Sequence, residues 1–291
     1  MMWIVFAFSS ALFAGATAIL AKMGIKKVDS MLATAIRTII ILIFSWLMVF
    51  IVGSWNTIPS IDSKAYIFLI LSGLATGASW LCYFKALQLG DVNKVTPIDK
   101  SSTVLTMILA FIILGEPITL PKLIGMVAIG VGTYLMIIKK KTQQQPSTKA
   151  EGNAWLVYAI LSAVFASLTA ILSKIGIVGI ESNLGTAIRT AVVLIMAWLM
   201  VFILGKQNEI KEIDKKSWLF LCLSGITTGL SWLCYYKALQ DGEASIVVPI
   251  DKLSIVITVT FSYFFLKEKL TTKSLLGLIL IVAGTMALLL P

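Results

Sequence analysis

Long apolar blocks alternate with short polar breaks along the whole chain. A bilayer core of roughly 30 Å needs about 20 apolar residues in helical form. Ten segments meet that pattern, at about 3–24, 31–52, 65–88, 94–114, 121–138, 155–176, 183–204, 217–240, 246–266 and 273–290. Only two breaks are long. Segment 53–64 carries Gly53, Pro59, Asp62 and Lys64, and segment 139–154 has the lysine-, glutamine- and proline-rich composition of a flexible linker. The first block has no basic stretch before it and no convincing cleavage site, so it reads as a retained helix and not a signal peptide.

The pattern repeats. Shifted by 152 residues, the sequence lies on itself without a change of register from Trp3 to Ile138, with about half the positions identical. Ala35-Ile36-Arg37-Thr38 meets Ala187-Ile188-Arg189-Thr190, and Ser79-Trp80-Leu81-Cys82-Tyr83 meets Ser231-Trp232-Leu233-Cys234-Tyr235. Pro97-Ile98-Asp99-Lys100 meets Pro249-Ile250-Asp251-Lys252. The organisation expected is a first five-helix repeat over 1–138, a linker over 139–154 and a second repeat over 155–291. An odd number of spans returns the chain on the opposite side, so the copy starts inverted. The expected fold is therefore an all-α integral membrane protein, with ten transmembrane helices as two inverted five-helix repeats around a central cavity. Secondary transporters are often built this way.

Composition agrees. The 291 residues are 58% hydrophobic and 13% charged, with a mean hydropathy of +0.96, against about a quarter charged in soluble domains. The net charge of +10 sits on lysines scattered through short loops. That points to anionic membrane lipid as partner and not to nucleic acid. Three cysteines in apolar runs (Cys82, Cys222, Cys234) and no histidine leave neither a disulfide framework nor a zinc site. No nucleophile elbow, phosphate-binding glycine loop or soluble domain is present, so no enzyme, no cofactor and no coupling to ATP within the chain is expected.

Lysines fix an expected orientation. Lys26 and Lys27 in the first loop have no counterparts in the copy. Lys64 alone faces a copy with Lys206, Lys211, Lys215 and Lys216; Lys122 alone faces Lys267, Lys269 and Lys273. The linker adds Lys139, Lys140, Lys141 and Lys149. By the positive-inside rule the linker is cytoplasmic and both termini are outside, in a cytoplasmic (inner) membrane.

One constellation carries a family resemblance. Tyr83-Phe84-Lys85-Ala86-Leu87 with Glu116, and Tyr235-Tyr236-Lys237-Ala238-Leu239 with Glu268, in a five-plus-five frame, resemble the EamA branch of the drug/metabolite transporter superfamily across essentially the whole chain. The resemblance implies a ten-helix fold with a central cavity and transport of metabolites, amino acids or drugs, and it leaves the substrate open. Members are commonly drawn with cytoplasmic termini, against the charge bias here. The small multidrug-resistance relatives bind cations through a Glu in the first span. Spans 3–24 and 155–176 lack any carboxylate, so that mechanism does not carry over.

Ionisable groups inside a span are costly and normally face a cavity or a partner. Arg37 lies about 9 Å into its span at about 1.5 Å per residue. With Lys85, Asp99 and Lys100 it is expected near one membrane face; Arg189, Lys237, Asp251 and Lys252 are expected near the other. These eight are the candidate binding or gating groups, with Asp99 pairing to Arg37 or Lys85 when that face is closed, and Asp251 to Arg189 or Lys237 when the other is. The aspartates are the candidate proton carriers. Snorkelling towards headgroups competes as a reading for the lysines. Pro97 and Pro249 are candidate hinges, against helices that simply start there. Trp80, Tyr83, Trp232 and Tyr235 are candidate cavity-lining rings or interfacial anchors. Thr17, Ser79, Ser102 and Ser231 are polar positions within spans. Gly73, Gly77, Gly225 and Gly229 allow close helix approach, as do Gly125, Gly132, Gly277 and Gly284. Glu116 and Glu268 read as structural caps on the next helix.

These features point to a secondary transporter, proton-coupled or facilitative, that moves small polar or zwitterionic solutes by alternating access. A flippase for a lipid-linked sugar or other amphipathic carrier remains the competing reading. Both halves lie in one chain, so a monomer is expected to suffice.

Overall fold

The computed structural model describes residues 2–24, 28–89, 92–137, 154–266 and 271–290. Lys26, Lys27, linker residues 139–153, Lys267, Glu268 and Lys269 lie outside them. Among the described residues the first half holds α1 (Met2–Gly24), α2 (Ser30–Val52), α3 (Ser63–Leu89), α4 (Val92–Lys100), α5 (Ser102–Ile113) and α6 (Leu120–Ile137). The second holds α7 (Ala154–Gly176), α8 (Ser182–Ile203), α9 (Lys215–Asp241), α10 (Ala244–Lys252), α11 (Ser254–Leu266) and α12 (Thr272–Ala287). Short 3₁₀ turns at Ser54–Ser60 and Lys206–Glu212 follow α2 and α8. Among the described residues seven helical stretches are long and apolar enough to cross a membrane, while Leu120–Met136 and Thr272–Ala287 are shorter apolar helices. The molecule is an all-helical, multi-pass membrane protein.

Helix ends follow the sequence at both copies of each position. Asp29 Oδ1 accepts from the Met31 and Leu32 N–H groups at 2.9 and 3.2 Å to start α2. Glu181, its repeat partner, accepts from Asn183 and Leu184 to start α8. Gly53 (φ 78°) and Gly205 (φ 67°) end α2 and α8 in the left-handed region, where glycine carries no Cβ penalty.

The fourth apolar block of each half is divided, where the sequence leads one to expect a single helix. The break falls four residues beyond each proline, not at it. The Ser101 N–H turns to Ile98 O at 3.2 Å and the Leu253 N–H to Ile250 O at 2.9 Å. That tightening to i→i−3 bonds divides α4 from α5 and α10 from α11. Each Asp-Lys pair therefore closes a short helix inside the span, where transporters place polar sites.

The halves interleave. The most extensive packing pairs α3 with α7, α1 with α9, α6 with α12, and α2 with α8 and α9, so each joins the first half to the second. Small residues make this possible in lipid. A Cβ at Gly73 would meet Val192 at 2.7 Å, and one at Gly225 would meet Ile40 at 2.8 Å. Gly132 and Gly277 approach closest: a Cβ at Gly132 would lie 2.6 Å from Gly277 O, and one at Gly277 2.5 Å from Gly132 O. Hydroxyls bind the same pairs. Ser79 Oγ donates to Ser162 O at 3.0 Å and Ser231 Oγ to Ser10 O at 3.1 Å.

Candidate functional site

Two arginines on packed, repeat-related helices meet one cavity of about 390 Å³ between the halves. Arg37 on α2 donates through Nη2 to Thr228 Oγ1 on α9 at 2.9 Å. Arg189 on α8 donates through Nε to Ser72 Oγ at 2.9 Å and through Nη2 to Thr76 Oγ1 at 2.5 Å, both on α3. Each arginine thus reaches across to the other half. Thr76 and Thr228 are themselves repeat partners and lie within hydrogen-bond distance of Thr169 and Thr17. The guanidinium of Arg189 also lies over the Trp232 and Tyr236 rings, at 5.3 and 4.8 Å from their centroids. Such cation–π contacts contribute about 2 kcal/mol when desolvated.

The arginines are not neutralised. Arg189 is only 2% exposed, and its Nη1 is buried with no hydrogen-bond partner, as is Arg37 Nε. A buried unpaired N–H costs about 1–3 kcal/mol. Among the described residues no carboxylate forms an ion pair with either arginine. In this arrangement, among the described residues, each aspartate meets a serine of the other half and the lysine next to it, and not an arginine, Lys85 or Lys237. Asp99 accepts from Ser162 Oγ at 2.9 Å and lies 3.6 Å from Lys100. Asp251 accepts from Ser10 Oγ at 2.6 Å and lies 3.7 Å from Lys252. Ser10 and Ser162 are repeat partners, so both halves satisfy their carboxylate in the same way. In each case the lysine is the next residue along the same helix, and the serine comes from the helix packed alongside.

A second polar cluster closes one end of the bundle. Glu116 accepts from the backbone N–H groups of Ala244 and Ser245 at 2.6 and 2.9 Å. It caps α10 of the opposite half and not the helix that follows it in sequence. The carboxylate complements the positive end of α10. Lys174 Nζ donates to the carbonyls of Leu239, Gln240 and Gly242 at 2.5, 3.1 and 2.7 Å, capping the C-terminus of α9. Buried Lys122 pairs with Glu243 and donates to Pro117 O. At this end α10 packs along α5. Their repeat counterparts, α4 and α11, make no comparable contact among the described residues.

The other candidates separate accordingly. Trp80, Trp232 and Tyr235 line the cavity with Asp251 and Lys252. Tyr83 instead packs edge-on against Phe84, at 5.7 Å between ring centroids. Lys85 lines a separate recess beside Met31, Cys82 and Tyr158. Lys237 pairs with Asp241 at 3.1 Å, one turn along its own helix. Lys100 and Lys252 are 58% and 51% exposed along their side chains. Gly73, Gly77, Gly225 and Gly229 seat against Val192, Met196, Ile40 and Phe44. Pro249 lies buried inside α10, and α4 runs through position 97. Sequence reasoning missed Tyr236, the Thr76–Thr228 pair, the Ser10–Ser162 pair, Lys122, Lys174 and Glu243. Two of these left a trace: hydroxyls kept inside apolar blocks at both copies of the 152-residue repeat.

A sequence model of the EamA-like transporter family matches residues 1–138 and again 153–290. An uncharacterized transporter from the cobO 3′ region of a Sinorhizobium species is 45% identical over 135 residues, covering 46% of this chain and 96% of that protein. An uncharacterized transporter of Archaeoglobus fulgidus is 23% identical over 93% of this chain and 91% of its own length. A solved crystal structure covers 99% of this chain and 96% of its own at a TM-score of 0.76 and 15% identity. At that identity the likeness is one of fold.

Proposed function

Since this chain belongs to the EamA-like transporter family, a transporter family and not one of enzymes, we propose that it is a secondary transporter of small polar or zwitterionic solutes working by alternating access. It carries ten spans as two inverted repeats, 1–138 and 155–291, with α4–α5 and α10–α11 each counting as one broken span. The linker 139–154 is cytoplasmic, both termini are outside, and the membrane is the cytoplasmic one. A single chain carries both halves and works as a monomer. Solute enters the cavity between Arg37 and Arg189, with Trp80, Trp232 and Tyr235 on its walls. Asp99 and Asp251, each at a helix break beside a lysine, are the groups through which protons couple to movement.

The observation that carries this reading is the unequal packing of equivalent helices. α10 is closed onto α5 beneath the Glu116 cap, while among the described residues α4 and α11 make no comparable contact. Repeat-related halves in unequal arrangements are what a rocking transporter requires, because exchanging the two arrangements closes one face and opens the other. The test uses a chain lacking Cys82, Cys222 and Cys234, with Ala166→Cys on the cavity wall. An impermeant maleimide is applied to intact cells and to inside-out vesicles. Labelling in both preparations is expected. Labelling from one side only, under every gradient tried, sinks the alternating-access reading.

A further inference from the structure

We infer that the solutes carried through this cavity bear an anionic group, a carboxylate or a phosphate, which is held between Arg37 and Arg189. This deepens the transport reading above and rests on it.

Four charged side chains line the cavity: Arg37, Arg189, Asp251 and Lys252. Asp251 and Lys252 lie 3.7 Å apart and neutralise each other. The two arginines remain. Their hydrogen-bond partners among the described residues are hydroxyls: Thr228 for Arg37, and Ser72 and Thr76 for Arg189, whose guanidinium also lies over the Trp232 and Tyr236 rings. Neutral hydroxyls orient a guanidinium without cancelling its charge. Arginine stays protonated under all ordinary conditions, so the wall holds two fixed positive charges inside the bundle. Arg189 Nη1 and Arg37 Nε are buried N–H groups without a hydrogen-bond acceptor among the described residues. Isolated buried charge is unfavourable unless something pairs with it, and an oxyanion matches the planar fork of guanidinium donors.

The placement also suits a carrier. The arginines are repeat partners, and each is fixed to the half it does not belong to. An anion between them meets one donor from each half. The π faces of Trp80 and Trp232, also on the wall, repel an anion's charge but accept an apolar or cationic remainder. Amino acids with a free carboxylate, organic acids and small phosphate esters all satisfy this chemistry. Purely cationic amines do not, because two fixed positive charges oppose them.

The experiment is a fluorescence titration of the purified protein in nanodiscs, reading the cavity tryptophans at constant ionic strength. The probes are succinate, glutamate and inorganic phosphate, with putrescine as a cationic control and glycerol as a neutral one. At least one anion is expected to give a saturable response, and the two controls none. Arg37→Gln and Arg189→Gln should each weaken that response by about ten- to a hundredfold. Arg37→Lys and Arg189→Lys, which keep the charge and lose the fork, should fall between and show whether the fold survives. Succinate or glutamate alone would assign a carboxylate site, and phosphate alone a phosphate site. Three flat anion titrations, a response to putrescine or glycerol alone, or an anion response unchanged in both Gln variants would each overturn the assignment. Labelling of Ala166→Cys from both sides is read independently, so loss of the anion site and loss of the transport reading are told apart.

Discussion

Replacing Gly132 by alanine separates close helix approach from intrinsic helix preference. A Cβ at Gly132 would lie 2.6 Å from Gly277 O, 2.9 Å from Ile281 N and 2.9 Å from Ile281 Cγ1. Two of these atoms are backbone and cannot swing aside. Restoring ordinary contact at 3.4 Å requires α6 and α12 to retreat by 0.8 Å. A gap of about 0.5–1 Å forfeits a quarter to a half of each dispersion contact along the seam. Overpacking of this kind costs about 1–3 kcal/mol. Gly130, two residues earlier on the same helix, is the control, because its Cβ would meet only Val104 Cγ2 at 3.4 Å. Removing glycine from a helix interior gains about 0.5–1 kcal/mol at either site, so the difference between the two variants isolates the clash. A difference of about 2 kcal/mol lowers the melting temperature of Gly132→Ala relative to Gly130→Ala by roughly 4–8 °C. Thermal unfolding in mild detergent, followed by a thiol-reactive dye, measures it. Equal melting temperatures would refute the glycine-mediated seam.

Other outcomes follow from the polar clusters. Glu116→Gln removes the charged cap of α10 and should lower stability by about 1–2 kcal/mol, seen as a lower melting temperature; an unchanged transition would show that the contact contributes nothing. Lys174→Met keeps the aliphatic stem but orphans carbonyls at the end of α9. It should cost about 1–3 kcal/mol in the same assay. Once a substrate is in hand, Asp99→Asn with Asp251→Asn should retain solute exchange in proteoliposomes and lose accumulation driven by a pH gradient. Accumulation that persists would remove protons from the mechanism. Thr142→Cys in the linker should resist an impermeant maleimide until cells are permeabilised; immediate labelling would reverse the orientation.

Much of the architecture was readable because its signals are strong and local. Apolar length and the fixed 152-residue offset mark the helical blocks and their duplication, and membrane-embedded charges such as Arg37 and Arg189 stand out against them. What was not readable depends on contacts between halves. Glu116 lies at a helix junction, and nothing nearby in sequence says that the helix it caps begins 128 residues later. Tyr83 and Tyr235 share one motif, yet of the two only Tyr235 lines the cavity, because related sequences occupy unequal packing arrangements. Depth in the membrane puts Asp99 in one layer with Arg37 and Lys85. Its actual partner, Ser162, comes from a helix whose neighbour could not be known before α7 was seen against α4. The break after Lys100 escaped for a different reason: proline marks a weakened helix, but the backbone relaxes a turn later.

The interleaving of the halves sets an order of events during synthesis. When the ribosome has reached the linker, α1 to α6 have been made but the helices that cover them have not. Ser72 has no Ser173, Arg37 has no Thr228 and Gly132 has no Gly277. Translation of the remaining half takes about seven to thirty seconds at roughly 5–20 residues per second. Throughout that interval a complete repeat waits in lipid with its pairing faces open. A truncated chain, or a second nascent copy nearby, would offer those faces the same complementary surfaces that the chain's own second half provides.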